Sequence, residues 1–205
     1  MFKFDKLVFG DLGWGDELLF ATLMTITVSI LSMGLGLCLA IITVWAKLIT
    51  NRITRLIANF YTTVVRGVPE LLVIYLIFFG GNSVVMGVAK LFGYNGYIEL
   101  NALTIGTIAI AFISATYSSE VIRAAYLAVN KGQVEAAKAL GLNKIQIFLR
   151  VMGPQIIRYA LPGIGNVWQI TLKDTSLISV TGLVEIMRQT RIASNVEHSP
   201  LTFLI

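Results

Sequence analysis

The sequence predicts an all-α integral membrane protein with four complete spanning helices. Three observations carry that expectation. Hydrophobic residues fill 56% of the 205 positions and charged residues only 13%, with a mean hydropathy of +0.80, outside the range of soluble globular chains. Apolar runs of bilayer-crossing length recur along the chain. The cations between them concentrate in alternate intervals, as expected of cytoplasmic loops. The formal charge of +5 therefore belongs to loops at a membrane surface and gives no sign of nucleic-acid binding.

Several chemistries are excluded by what is missing. Cys38 is the one cysteine and lies inside an apolar run, so neither a disulfide framework nor a thiol metal site is available. His198 stands alone, too little for a histidine metal centre. No G-x-x-x-x-G-K-[ST] occurs, so any ATP that drives the protein must bind another subunit. H-E-x-x-H and G-x-S-x-G are absent too, which removes the simplest routes to an intramembrane hydrolase. The expectation is a chain with no catalytic residues, no metal and no cofactor of its own.

Residues 1–17 are polar, with Asp5, Asp11, Asp16 and Glu17 against Lys3 and Lys6. That balance is unlike the basic start of a cleaved signal peptide and suits an external N-terminus. Trp14 suits the membrane interface. The first span is expected at 18–46. Within it Ser32-x-x-x-Gly36 and Gly34-x-x-x-Cys38 put small residues on one face, which permits close helix packing. Lys47, Arg52 and Arg55 then mark a short cytoplasmic loop.

The second span, at 56–80, is interrupted by Arg66-Gly67-Val68-Pro69-Glu70. Pro69 disfavours helix at the residue before it and removes a backbone donor. With a helix start near Leu56, Arg66 lies roughly 15 Å deep. Ionisable residues at a helix break inside the bilayer are where transporters hold substrate or ions. The alternative is a surface pair between Arg66 and Glu70 at helical i,i+4 spacing. Gly80-Gly81-Asn82 and Gly93-Tyr94-Asn95-Gly96 read as turns bounding an external loop at 81–101, with a short helix over 84–92 and with Lys90 and Glu99 its only charges. The third span is expected at 103–121, with Glu120 and Arg123 one turn apart near its cytoplasmic end.

The interval 131–154, KGQVEAAKALGLNKIQIFLRVMGP, is polar and strongly basic. Val134, Ala137 and Leu140 give an apolar stripe on a short helix. Gly141 fits the position just past its end, and Asn143 can cap a second helix that stops near Gly153 and Pro154. Read from composition, this is an amphipathic connector resting on lipid headgroups. The fourth span follows at 155–180, kinked at Pro162-Gly163-Ile164-Gly165, with Lys173-Asp174 towards its outer end. Residues 181–200 read as a polar external loop whose Arg188 and Arg191 run against the charge rule. Residues 201–205 read as the start of a further helix.

Glu135-Ala136-Ala137, three residues, Gly141, and then Pro154 resemble the EAA loop of ABC importer permeases. Gly153 stands where that pattern usually has Leu before Pro, a departure that bears on where the second helix ends. R-G-V-P-E-L-L at 66–72, Y-S-S-E-V-I-R at 117–123 and L-P-G-I-G-N-V-W-Q-I-T-L-K-D-T-S-L at 161–177 resemble the polar amino-acid branch, in particular the Q-type subunits of histidine and lysine–arginine–ornithine importers or of opine importers. The resemblance covers most of the chain after Tyr61. It implies a type I importer permease fold in a bacterial inner membrane, with a fifth spanning helix of which only the start is present.

The resemblance also implies partners and roles. A separate ATP-binding subunit would dock on Glu135, Ala136, Ala137 and Gly141. An identical or homologous permease would pair alongside, and a periplasmic amino-acid-binding protein would deliver substrate. Glu70, following R-G-V-P, would meet a cationic side chain, with Arg66 holding it or meeting the substrate carboxylate. Glu120 would serve a structural role or the α-ammonium. The competing class is an ion-coupled secondary carrier, which also uses broken helices and buried charge but has no use for an EAA loop.

Overall fold

A computed structural model describes residues 4–10, 13–94, 96 and 101–203. Asp11, Asn95, Glu99 and the last two residues lie outside that set. Among the described residues regular structure is helical throughout: α1 (Gly15–Leu48), α2 (Arg52–Gly67), α3 (Glu70–Leu91), α4 (Ala102–Ala128), α5 (Lys131–Ala139), α6 (Lys144–Ile147), α7 (Gly153–Asp174), α8 (Ile186–Glu197) and α9 (Pro200–Phe203). A π-helical turn, Phe148–Met152, leads into α7, and a 3-10 segment, Thr175–Thr181, follows it. Three of the described helices, α1, α3 and α4, are long and apolar enough to cross a membrane. Their outward residues, among them Phe20, Trp45 and Phe79, are large and exposed, as suits a hydrocarbon surround.

The interrupted second span is two helices. Val68 (φ −105°, ψ 142°) and Pro69 (φ −54°, ψ 131°) are extended between α2 and α3, the conformation that proline imposes on its predecessor. Gly80-Gly81-Asn82, expected as a turn, lies inside α3. In an apolar setting, breaking the helix would leave backbone groups unbonded, so the glycines are carried through. The turn comes at Phe92–Gly93, where Gly93 adopts φ 81° and donates to Lys90 O. The expected stop at Gly153-Pro154 is also replaced. The chain runs from the π turn straight into α7, and the wider π turn stands where Pro154 has no N–H to give to the preceding turn. Residues 181–200, expected as a loop, hold α8.

The chain divides into two compact units. The first comprises residues 1–32, 69–110 and 171–205. Val28, Ile110 and Ile178 form its buried core, with Met24, Leu103 and Leu183 packed against them. Gly106 permits this packing, because a Cβ there would sit 2.5 Å from Ile178 Cγ2. Ser32 Oγ donates to Thr107 O at 3.1 Å. Glu185, fully buried, caps α8 by accepting from Met187 N and Arg188 N, while Ile186 N donates to Thr25 Oγ1. At the other end of α8, Glu197 accepts from Trp14 Nε1 and pairs with Lys6.

The second unit comprises residues 33–68 and 111–170. Gly36 sits so close to α4 that a Cβ would meet Ser114 Oγ, and a Cβ on Gly163 would meet Val121 Cγ1 at 2.6 Å. By contrast Gly34 faces open space and Cys38 is exposed, so of the two small-residue pairs in α1 only Ser32 and Gly36 serve packing. Tyr61 Oη donates to Phe112 O at 2.6 Å, with the two rings 4.6 Å apart.

Candidate functional sites

In the first unit, Glu70 is the first residue of α3 and Asp174 the last of α7. Their side chains are hydrogen-bonded to each other, and Asp174 is buried. Two adjacent carboxyl groups offer oxygen acceptors that a substrate ammonium or guanidinium can engage. Sequence reading singled out Glu70 but placed Asp174 merely near a helix end. Glu70 and Arg66 stand on separate helices, so helical i,i+4 spacing does not relate them.

In the second unit, α1, α2 and α4 bring four charges together. Lys47 Nζ donates to Glu120 Oε1 at 2.5 Å and to Thr62 Oγ1 at 2.7 Å. Arg66 Nη2 lies 3.5 Å from Glu120 Oε1, and Arg123 Nη1 lies 3.6 Å from Oε2. Arg66 Nε donates to Thr62 O, which fixes the guanidinium against its own helix. Lys47, read from sequence as a loop cation, has a side chain only 2% exposed. Its burial rests on Glu120, 73 positions away, for which no local pattern exists.

The third site is the basic hairpin. Asn130 caps α5 by accepting from Gly132 N. Gly141, at φ 76°, donates to Lys138 O, and Leu142 N reaches Ala137 O, a left-handed closure that glycine adopts without strain. Asn143 and Gln146 form a reciprocal capping box on α6. Ala137 is buried, whereas Glu135, Ala136 and Gly141 are exposed. Leu140, expected on the inward stripe, is also exposed and shares the surface with Ile145 and Leu149. A groove of about 300 Å³ lined by Tyr126, Val129, Val134, Glu135, Lys138 and Met152 runs beside α5.

Residues 32–205 match the family described as the inner membrane component of binding-protein-dependent transport systems. The chain belongs to that family. It is 50% identical over 200 residues to a nopaline transport system permease protein of Agrobacterium fabrum, covering 97% of this chain and 85% of that one. It is 39% identical over 193 residues to a histidine/lysine/arginine/ornithine transport system permease protein of Escherichia coli, covering 94% and 84%. A crystal structure of an amino acid ABC transporter with histidines aligns with a TM-score of 0.77 at 29% identity, over 93% of this chain and 84% of that one. The chain is thus an inner-membrane permease of the ATP-driven importer type, with the all-α fold of that class.

Proposed function

We propose that this permease carries basic amino acids or opines, with Glu70 and Asp174 receiving the substrate's cationic group. The observation that carries the reading is the hydrogen-bonded pair of carboxyl groups, one of them buried, at a helix break. A desolvated cation costs several kcal/mol unless a fixed counter-charge meets it, and two carboxyl groups supply one. The names of the relatives, nopaline and histidine/lysine/arginine/ornithine permeases, support the same class of cargo. Of the two roles open to Glu120, its engagement by three cations supports the structural one.

ATP hydrolysis belongs to a separate subunit that docks on the exposed face of the hairpin, with Glu135, Ala136 and Gly141 at the contact and Ala137 seating α5 from behind. A second permease, identical or homologous, and a periplasmic binding protein complete the assembly. The second unit holds ten Lys and Arg against two acids, and the first six against nine. By the positive-inside rule the hairpin and the α1–α2 connection face the cytoplasm, and α8 faces outward. Proteoliposomes containing the whole transporter, given binding protein and labelled lysine, arginine or nopaline outside, test the function. Uptake that requires enclosed ATP at constant proton-motive force is the expected result, and uptake following the proton gradient without ATP would instead identify a secondary carrier.

A further inference from the structure

We propose that Arg66 and Arg123 form an oxyanion site in the second unit, taking a carboxylate or a phosphate. Lys47, Arg66 and Arg123 surround one carboxylate, Glu120, which leaves an excess of two positive charges. The buried ammonium of Lys47 makes the close contact and holds that carboxylate. The guanidinium groups stand farther off, at 3.5 and 3.6 Å, with their side chains 37% and 44% exposed. Each carries five N–H donors in a planar fork suited to two-oxygen acceptors. Glu135, the only other acid of this unit, lies on the hairpin helix α5. Glu120 therefore draws the two forks together without saturating them, and an incoming oxyanion completes the neutralisation.

Two sources supply that chemistry in a bilayer. One is the α-carboxylate of a transported amino acid, in which case the proposal rests on the function given above. The other is the phosphate of an anionic lipid. The test uses a reporter one turn beyond Arg123, Leu127→Cys, at an exposed position near the end of α4. It is made in a Cys38→Ser background of the complete transporter in nanodiscs. The rate of modification by an anionic sulfonatoethyl thiosulfonate is compared with that by its trimethylammonioethyl counterpart.

The anionic reagent should be favoured, and Arg66→Gln with Arg123→Gln should lower that preference about tenfold. Arg123→Lys, which keeps charge but loses the fork, should keep most of the preference and guards against a folding artefact. Lysine slowing the anionic reagent while cadaverine, its decarboxylated counterpart, does not would identify the substrate carboxylate. Slowing on replacement of phosphatidylcholine by phosphatidylglycerol, with no effect of lysine, would identify lipid phosphate. A preference unchanged by the substitutions overturns the proposal, as does a preference that neither lysine nor phosphatidylglycerol alters. Glu70→Gln separates the two readings. It should abolish discrimination for the cationic side chain and leave the reagent preference at Leu127→Cys unchanged.

Discussion

The Lys47 ammonium, all but excluded from solvent, donates to Glu120 Oε1 and so ties α1 to α4. Removing one partner of such a pair leaves a buried charge uncompensated, at a cost of about 3 kcal/mol or more. Glu120→Ala should therefore lower the thermal stability of the purified permease far more than Lys47→Met, which leaves Glu120 partly exposed with two arginines beside it. Fluorescence-detected thermal unfolding in one detergent gives the comparison. Equal midpoints for the two variants would contradict this account of the pair.

Helix packing in the second unit depends on the absence of a side chain at one face of α1. Gly36→Val drives a branched side chain into Ser114 Oγ and the α4 backbone, whereas Gly34→Val enters open space. The first should reduce folded yield severalfold and the second should leave it near wild type, as read by size-exclusion profile. Two equally tolerated variants would show that the α1–α4 approach is looser than described.

Gly141 closes α5 in the left-handed region, where a β-carbon costs about 1 kcal/mol and a branched or charged side chain more. Gly141→Asp also places a carboxylate on the exposed hairpin face. It should leave membrane insertion intact and abolish substrate-stimulated ATP hydrolysis by the assembled transporter. Stimulation at the wild-type level would remove the hairpin from the coupling contact.

Topology has its own test. In a Cys38→Ser background, cysteines at Asn51, in the α1–α2 connection, and Asn195, exposed on α8, should react with a membrane-impermeant maleimide from opposite faces of sealed vesicles. Reaction from the same face would contradict the assignment by charge.

Hydropathy over twenty residues is a strong signal, and it located α1 and α4, whereas the second span expected at 56–80 divides into α2 and the apolar α3. The break at Val68-Pro69 and the closure at Gly141 followed from two residues with restricted or unusual backbone freedom. Other features were not legible, for definite reasons. The buried face of α8 is Gln189, Ala193 and Ser194, while Met187, Ile192 and Val196 are exposed, so it lacks the apolar stripe that announces a helix. Gly80-Gly81 resembles a turn because turns in water can solvate their backbone, an option missing in hydrocarbon. The partners of Glu70 and Lys47 come from remote parts of the chain, and no local spacing encodes them.

The most direct test of the central claim is selective uptake by a Glu70→Gln, Asp174→Asn transporter. Both changes keep side-chain shape and hydrogen bonding while removing the capacity for negative charge. In proteoliposomes with ATP enclosed and saturating binding protein, uptake of lysine or arginine should fall at least tenfold, corresponding to about 1.4 kcal/mol. Any uptake of a neutral amino acid such as glutamine by the wild-type transporter should persist in the variant. Equal loss of both cargoes, or no loss of either, would contradict the assignment of Glu70 and Asp174 to the substrate cation.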